Sequence, residues 1–399
     1  MKIDRVEVGE ILDSRGEKTV EVTLSSEGHS FKTQVPSGKS RGSREAVSLG
    51  PESAKLVLEA GLEAELIGRE FASVSEMDEF LIGYDGTEYK SKMGGDLMLG
   101  ISISFARAMA HAREVELWEL LRAEFFGDVQ GVTAPKIFAN MINGGAHAKN
   151  NLDIQEFQII STGHEKIADT ITDLKDLYRK LGEVFLAKHN ETIVPLGDEQ
   201  GYAPNFANNS EPLGVLTELL NKYDGKERFT LGIDAAASSF FDDQSYKFDG
   251  KAMATDELDN TYKNFFDQFV LLESIEDPFA ENDEEGFKAL FKLYGDSKLL
   301  IGDDLTVTNQ EAIEKYAGNA INGVIIKPNQ IGTVTETCNA LNTAEKLGVT
   351  RIISHRSGEV EDPFIIHFAK ACGAEGVKIG VPIIKERISK FNELIRVFA

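Results

Sequence analysis

Three acidic residues each follow a short apolar segment in the second half of the chain: Asp234, Glu276 and Asp303. If these segments are neighbouring strands of one sheet, the carboxylates lie close together and repel each other unless a cation neutralises them. Oxygen ligands with room for water and substrate favour Mg²⁺ over Zn²⁺ or Cu²⁺. A single acid at such a position is equally well explained as a helix cap or a surface residue. The three together, at regular spacing, predict a Mg²⁺ site.

Basic residues continue the same series: Lys327, His355 and Lys378. A lysine at the end of an apolar strand is seldom there for solubility alone, because burying an ammonium without a partner is unfavourable. A second lysine and a metal ion nearby would lower its pKa and make it a usable general base. The adjacent Arg356 and Ser357 offer a forked cation and a hydroxyl, which suit a phosphate group. An ordinary salt bridge is the alternative for Arg356.

Glycine-containing segments add further candidates. Residues 143–147 (NGGAH) are turn-like and precede Glu156, and residues 195–201 place an Asp-Glu pair between glycines. An isolated Asp-Glu pair is normally just solvated. Residues 35–42 contain two glycines, two hydroxyls and two cations but lack the spacing of a phosphate-binding P-loop. We predict that residues 35–42 form a mobile lid, with an ordinary surface turn as the alternative.

Strand-like apolar segments alternate with helix-like segments in the larger, C-terminal part of the chain. The charged residues that end these segments recur about every 25 residues, the length of one strand plus one helix. Uninterrupted apolar strands alternating with helices indicate a parallel sheet covered on both faces. Six or more such units favour a closed β/α (TIM-like) barrel, in which the active site lies at the C-terminal ends of the strands.

The first part of the chain has a different pattern. Period-two alternation predicts three strands, at residues 6–8, 19–24 and 31–35. Helical spacing follows over three ranges, 52–66, 74–82 and 97–124. We therefore predict an α/β protein with two domains. An α+β domain over residues 1–130 carries the lid and caps a catalytic β/α barrel over residues 131–399.

Composition narrows the classes of partner and location. The 399 residues carry a net charge of −24, from 66 acidic and 42 basic side chains. Such a chain repels phosphate backbones and anionic lipid, so we expect no nucleic-acid binding and no membrane binding. The N-terminus lacks the apolar stretch of a secretory signal, and no segment has the ~20 apolar residues of a membrane span. The two cysteines, Cys338 and Cys372, lack metal or redox spacing, so a cytoplasmic location is expected.

These motifs and several others resemble those of the enolase family, in order and along nearly the whole chain. The matching segments are Asp13-Ser14-Arg15-Gly16, Val35-Pro36-Ser37-Gly38, Asn143-Gly144-Gly145, Gln155-Glu156-Phe157, Gly197-Asp198-Glu199, Ile275-Glu276-Asp277-Pro278-Phe279, Asp303-Asp304-Leu305-Thr306-Val307-Thr308-Asn309, Asn329-Gln330-Ile331-Gly332-Thr333 and Ser354-His355-Arg356-Ser357-Gly358-Glu359. So many ordered matches make coincidence negligible.

The resemblance implies a hydro-lyase activity, the Mg²⁺-dependent reversible dehydration of 2-phosphoglycerate to phosphoenolpyruvate in glycolysis and gluconeogenesis. It implies that Lys327 is the base that removes the α-proton and that Glu199 is the acid that protonates the departing hydroxyl. The metal ligands that it implies are Asp234, Glu276 and Asp303 for one Mg²⁺, and Ser40 for a second when the lid closes. The side chains that it places around the substrate are His147, Glu156, His355, Arg356, Ser357 and Lys378.

Within that set, the resemblance assigns Lys378 to the substrate carboxylate and Arg356 with Ser357 to the phosphate. It also implies a small-molecule substrate and a homodimer or larger homo-oligomer. Two other hypotheses stay open. One is an enolase-like paralogue that acts on a different phosphorylated or sugar acid. The other is a weakly active binding protein on the same scaffold, which the retained strand-end charges disfavour.

Some positions depart from the family pattern. Lys39 and Arg41 stand where the lid usually has Ala and Thr, Gln200 replaces a Gly, and Ile379 replaces a Thr. None of these changes removes a proposed catalytic group. If Lys39 and Arg41 point inward, they attract phosphate and repel a second Mg²⁺. If they point outward, they only decorate the rim of an acidic protein.

Overall fold

The computed structural model describes residues 1–39, 42–162, 166–189, 193–242 and 244–399. Its first part is a three-stranded antiparallel sheet of β1 (Arg5–Leu12), β2 (Lys18–Ser26) and β3 (His29–Gln34). The three predicted strands are thus confirmed, with longer bounds. The helices that follow are α1 (Pro51–Val57), α2 (Glu63–Leu66), α3 (Val74–Asp85), α4 (Gly95–Ala112) and α5 (Leu117–Leu121). π-helical turns, Leu58–Leu62 and Arg122–Phe126, follow α1 and α5.

Helix α4 packs directly on the sheet, and its glycine shows how closely. A Cβ on Gly100 would lie 2.4 Å from a methyl carbon of Val22, so only glycine fits against β2 there.

The predicted helix over 97–124 is wrong as one continuous element. It ends at Ala112 because Glu114 adopts a left-handed φ of 55°. A new helix begins at Leu117, where the backbone N–H of Glu116 donates to the Glu119 carboxylate at 2.9 Å.

The larger part of the chain forms a closed barrel of eight strands within the described residues. In chain order these are β4 (Lys136–Asn143), β5 (Glu156–Ser161), β6 (Phe229–Asp234), β9 (Leu272–Glu276), β10 (Leu299–Gly302), β11 (Gly323–Ile326), β12 (Thr350–Ser354) and β13 (Gly376–Lys378). A separate hairpin, β7 (Tyr246–Phe248) with β8 (Lys251–Met253), follows β6. The predicted β/α barrel is confirmed.

Helices follow each barrel strand except β4. They are α6 (Ile167–His189), α7 (Glu211–Asn221), α8 (Thr255–Gln268), α9 (Glu284–Tyr294), α10 (Gln310–Tyr316), α11 (Pro328–Ile331), α12 (Val334–Lys346), α13 (Phe364–Cys372) and α14 (Lys385–Phe398). None of the helices in the described ranges is long and apolar enough to cross a membrane.

One barrel strand runs against the others, which corrects the expectation of an all-parallel sheet. Strand β5 is antiparallel to both β4 and β6, whereas the remaining neighbours pair in parallel. The reason is the connection after β4, which contains a single 3₁₀ turn, Gly145–His147, and no crossover helix. Without a crossover the chain returns from the same end of the barrel. The first residue of β5, Glu156, therefore lies at the mouth where the other strands end.

A small apolar cluster occupies the barrel interior below that mouth. Its members come from five strands and no helix: Phe138, Ile160, Ile301, Ile325 and Ile352. The larger apolar core lies between the strands and the surrounding helices. Because apolar side chains fill the barrel below the strand ends, the charged residues that follow them are gathered at the mouth.

Candidate active site

The ammonium of Lys378, at the end of β13, lies among buried acids at the barrel mouth. It donates to both carboxylate oxygens of Glu276, at 2.8 and 2.9 Å, and to Asp234 at 2.9 Å. A carboxylate oxygen of Glu156 lies 3.2 Å away. Strand register explains the grouping, because Asp234 of β6 pairs with both Glu156 of β5 and Glu276 of β9. Three acids on three adjacent strands thus share one cation.

Burial and neighbouring charges shift the pKa values of Glu276, Glu156 and Lys378. Burial and the neighbouring Asp234 carboxylate raise the pKa of Glu276 well above its ordinary value. Burial and the charge of Glu199 do the same to the pKa of Glu156. Burial opposes the charge of Lys378, but Asp234 and Glu156 outweigh it and raise its pKa well above the ordinary value. Three carboxyl groups thus face one ammonium, and a further cation would relieve the repulsion that raises the pKa of two of them.

Lys327, at the end of β11, pairs with Asp303 instead. Its ammonium donates to one oxygen of Asp303, and the side-chain amide of Gln330 donates to the other at 3.1 Å. The predicted fall in the pKa of Lys327 depends on a bound metal ion beside it and stays a prediction. Burial does disfavour its charge, but the Asp303 carboxylate outweighs burial and raises its pKa. The sequence spacing predicts that Lys327 and Asp303 both lie at the mouth, but it does not predict that they form an ion pair.

The residues at this mouth suit a hard divalent cation. Asp234, Glu276 and Asp303 are all buried and offer only oxygen atoms, and their charge is compensated by lysine ammonium groups. The three are divided between Lys378 and Lys327. The groups of described residues whose ligand atoms all lie within 4.8 Å of one another are different ones: Asp277, Asp303, Asp304 and His147, Glu156, Glu199. Only Asp303 belongs to both sets. The acidic mouth can therefore bind a metal ion.

Glu199 lies beside Glu156, on the turn before the strand-like segment at Tyr202. Its carboxylate accepts a hydrogen bond from the Asn140 amide at 2.7 Å and lies 3.5 Å from a ring nitrogen of His147. Burial favours the neutral acid, but the facing His147 outweighs burial and lowers the pKa of Glu199 well below its ordinary value. Glu199 thus carries the negative charge and Glu156 the proton.

His355 follows β12 and faces the same carboxylate, at 3.7 Å. Burial and the nearby guanidinium of Arg387 lower its pKa well below the ordinary value, so the ring stays neutral. Arg387 belongs to α14 and reaches this point because Gly380 has no side chain. A Cβ there would lie 2.6 Å from Nε of Arg387 and 3.1 Å from the His355 ring. Neither ring nitrogen of His355 has a hydrogen-bond partner among the described residues.

Arg356 is buried and oriented from two sides. Its guanidinium donates to both oxygens of Glu45, at 3.0 and 3.1 Å, and to the side-chain oxygen of Asn329 at 2.9 Å. A Cβ on Gly38 would lie 1.9 Å from a guanidinium nitrogen, so the loop can cross Arg356 only with glycine. This fixed, charged fork can bind an anion such as phosphate.

Ser357 joins this anion-binding side to the predicted lid. Its hydroxyl oxygen accepts from the backbone N–H of Lys39 at 3.0 Å and from the guanidinium of Arg15 at 3.4 Å. The side chain of Lys39 points away and pairs with Asp198 at 2.7 Å, half-exposed. Ser40 and Arg41, predicted as a metal ligand and as a lid cation, lie outside the described residues.

A single small cavity of about 20 Å³ brings most of the predicted residues together. Those that line it are His147, Glu156, Glu199, Asp234, Lys327, His355, Arg356, Ser357 and Lys378. Glu276 and Asp303 bond the two lysines that line it. This volume holds about one water molecule.

Four site residues were not predicted from the sequence: Glu45, Asn140, Gln330 and Arg387. Each acts through a predicted residue, by bonding Arg356, Glu199 or Asp303 or by facing His355. Gln330 lies in one of the segments that resemble the family, although the resemblance gave it no role. One of the other three could be recognised from the strand pattern. Asn140 is a buried polar residue within the apolar strand β4, and such a residue needs a partner.

The fold and this site are those of a β/α-barrel enzyme with acids and lysines at the strand ends. Two family models match the chain, "Enolase, N-terminal domain" over residues 3–121 and "Enolase, C-terminal TIM barrel domain" over residues 132–398.

Similar proteins cover nearly the full length. An enolase of Anaplasma marginale (strain St. Maries) is 40% identical over 411 residues, with 99% of this chain and 94% of the relative covered. An enolase of Ehrlichia canis (strain Jake) is 38% identical over 408 residues, covering 98% and 95%. One from a Nitratiruptor species is 38% identical over 414 residues, covering 99% and 96%. The chain belongs to the enolase family and is a carbon–oxygen lyase of the hydro-lyase class.

Proposed function

We propose that this chain catalyses the reversible dehydration of 2-phosphoglycerate to phosphoenolpyruvate, as a step of glycolysis and gluconeogenesis. The observation that supports this best is the cavity at the barrel mouth, which is lined by Lys327, Glu199 and Arg356. Dehydration next to a carboxylate needs a base for the α-proton, an acid for the hydroxyl and a site for the phosphate. All three kinds of group lie around one small polar space.

We assign removal of the α-proton to Lys327. Its burial favours the neutral amine, so separation from Asp303 would leave it able to accept a proton. We assign the substrate carboxylate to Lys378, which already binds carboxylates on three sides. We assign the phosphate to Arg356 and Ser357, which bear a fixed guanidinium and a hydroxyl on the lid side of the cavity.

We assign protonation of the departing hydroxyl to Glu199, with Glu156 beside it. The two acids belong to one cluster with His147 in which ligand atoms lie within 4.8 Å. Opposite pKa shifts leave one proton shared by the two, held by Glu156 in the free protein. Transfer of that proton through Glu199 to the hydroxyl is consistent with both shifts. His147 and His355 would line the substrate space, where none of their ring nitrogens has a hydrogen-bond partner among the described residues.

The metal ligands in this proposal are Asp234, Glu276 and Asp303, with Mg²⁺ as the ion and Ser40 for a second one when the lid closes. When bound, Mg²⁺ supplies positive charge where the substrate carboxylate becomes more negative as the α-proton leaves. The buried all-oxygen donor set supports this ion over softer metals.

We further propose the domain division, location and assembly. Residues 1–130 would be the capping domain and residues 131–399 the catalytic domain, because the first barrel strand begins at Lys136. We propose a cytoplasmic homodimer or larger homo-oligomer that acts on a small molecule. A different acid substrate is not favoured, since the relatives that match nearly the whole chain are enolases.

The deciding experiment is phosphoenolpyruvate formation from 2-phosphoglycerate, followed by absorbance with Mg²⁺ and after its removal by a chelator. We expect turnover with Mg²⁺, loss on chelation and recovery on re-addition. A surface variant, Glu218→Gln, is the matched control, because Glu218 is an exposed acid that pairs only with Lys222 among the described residues. A folded protein that forms no phosphoenolpyruvate with Mg²⁺ present would contradict the proposal and favour another acid substrate.

A further inference from the structure

The turn that carries Glu199 is tightly folded onto Asn143. The N–H of Gly197 donates to the carbonyl of Gly201 at 2.8 Å, and the N–H of Gln200 donates to the carbonyl of Gly197 at 2.9 Å. A Cβ on Gly197 or Gly201 would lie 2.5 or 2.8 Å from side-chain atoms of Asn143. The two glycines therefore let the turn lie flat on Asn143, which fixes its underside.

The residue after Glu199 is conformationally strained. Gln200 has a φ of 68°, in the left-handed region that non-glycine residues adopt at a cost of about 1 kcal/mol. The enolase pattern has a glycine at this position, which takes that conformation without strain. In this chain, some other contact must stabilise the backbone beside the acid.

Tyr178 supplies such a contact from helix α6. Its hydroxyl donates to the carbonyl of Gln200 at 2.6 Å. Its ring stacks on Tyr202 with centroids 4.4 Å apart and an interplanar angle of 20°. Gly182 of the same helix makes room, since a Cβ there would lie 2.3 Å from the Tyr202 hydroxyl. Burial raises the pKa of Tyr178, so its hydroxyl remains a donor. The helix thus fixes the upper side of the turn.

We propose that Tyr178 is a positioning residue for Glu199, acting by holding the Gln200 carbonyl and so the strained backbone that orients the acid. The inference rests on the proposed function of Glu199. Tyr178 does not line the cavity, so its effect must pass through the turn. A tyrosine kept only for packing would act through its ring, whereas this role requires the hydroxyl.

The test removes the hydroxyl and keeps the ring. In Tyr178→Phe, we expect kcat for phosphoenolpyruvate formation to fall about threefold to tenfold, the effect of one lost hydrogen bond. The Michaelis constant and Lys327-dependent exchange of the α-proton with deuterium should change less than about twofold. Tyr223→Phe is the matched control, because the Tyr223 hydroxyl donates to Asp173 on the same helix at 3.0 Å, away from the turn. It should keep the wild-type kcat.

A second substitution tests the strain argument. Gln200→Gly allows the left-handed φ at no cost, so adding Tyr178→Phe in that background should lower kcat less than about twofold. An unchanged kcat in Tyr178→Phe would overturn the proposal. So would an equal fall in both backgrounds, or an equal fall in α-proton exchange. A wild-type protein inactive on 2-phosphoglycerate would instead contradict the proposed function, and the role of Tyr178 with it.

Discussion

The ammonium of Lys39 lies 2.7 Å from a carboxylate oxygen of Asp198, which joins the predicted lid to the turn that carries Glu199. Lys39 occupies a position where the enolase pattern has alanine, so this ion pair is a feature of the present chain. The sequence alone leaves open whether Lys39 points into the site or outward. Its ammonium does neither, because it pairs with Asp198. The pair is partly exposed, with 47% and 30% of the two side chains accessible.

We predict that this ion pair couples the lid and the Glu199 turn weakly and in a salt-dependent way. A double-mutant cycle of Lys39→Ala and Asp198→Asn, read out as kcat/KM, should give a coupling of about 0.2 to 1 kcal/mol at low salt. It should vanish in about 0.5 M KCl, since salt screens exposed charges. A coupling that persists at high salt would mean that Lys39 acts on the bound phosphate instead.

We predict that Lys327 and Glu199 affect different half-reactions. Lys327→Ala should reduce exchange of the substrate α-proton with solvent deuterium at least about 100-fold, because the substitution removes the proposed base. Glu199→Gln should block loss of the hydroxyl but leave measurable exchange. Exchange by NMR and product formation by absorbance provide the two measurements. Exchange that survives in Lys327→Ala and disappears in Glu199→Gln would show that the roles are reversed.

We predict that the three strand-end acids bind Mg²⁺. Asp234→Asn, Glu276→Gln and Asp303→Asn should each weaken Mg²⁺ binding in calorimetry and lower turnover at least about 100-fold. Each substitution keeps the shape of the side chain and removes its charge. Glu218→Gln, an exposed acid on α7, is the control that should bind Mg²⁺ normally. Wild-type affinity in all three variants would move the ion to another group, such as Asp277 with Asp304.

The barrel could be predicted from the sequence because each strand is recognisable from its own apolar run. Leu299–Gly302 begins and ends where its apolar run does, and Asp303 and His355 directly follow their strands as expected. The reversed direction of β5 could not be predicted from its apolar pattern. Its direction depends on the missing crossover helix between Asn143 and Glu156, and both orientations bury the same residues.

The charged residues of the site could be predicted, but their partners could not. Lys378 was expected to meet substrate, and its contacts with Glu276 and Asp234 depend on distances across the barrel. Glu45 lies far from Arg356 in sequence and looks like an ordinary surface acid, yet it orients that guanidinium. Tertiary pairing of this kind leaves no periodic signal along the chain.

Outside the site, Asp78 of α3 is buried against the first turn of α12. One of its carboxylate oxygens accepts from the backbone N–H of Thr335 at 2.8 Å and from its hydroxyl at 2.6 Å. Burial raises the pKa of Asp78 to about 7 despite these hydrogen bonds. The folded protein therefore holds a proton here over a pH range in which the unfolded chain does not.

We predict from this shift that Asp78 makes the fold less stable as the pH rises. The pKa of Asp78 in the folded protein, about 7, lies above its ordinary value of 3.8, so its stabilising contribution is complete below about pH 4 and is lost by about pH 7. We expect the wild type to lose stability relative to Asp78→Asn as the pH rises. The difference between their free energies of unfolding, from urea titrations, should change by on the order of 2 kcal/mol in favour of the variant between about pH 5 and pH 7.5. Glu218→Gln should follow the wild type closely across this range, because its carboxylate is exposed and titrates below it. A difference between Asp78→Asn and wild type that stays constant with pH would show that Asp78 is already ionised in the folded protein.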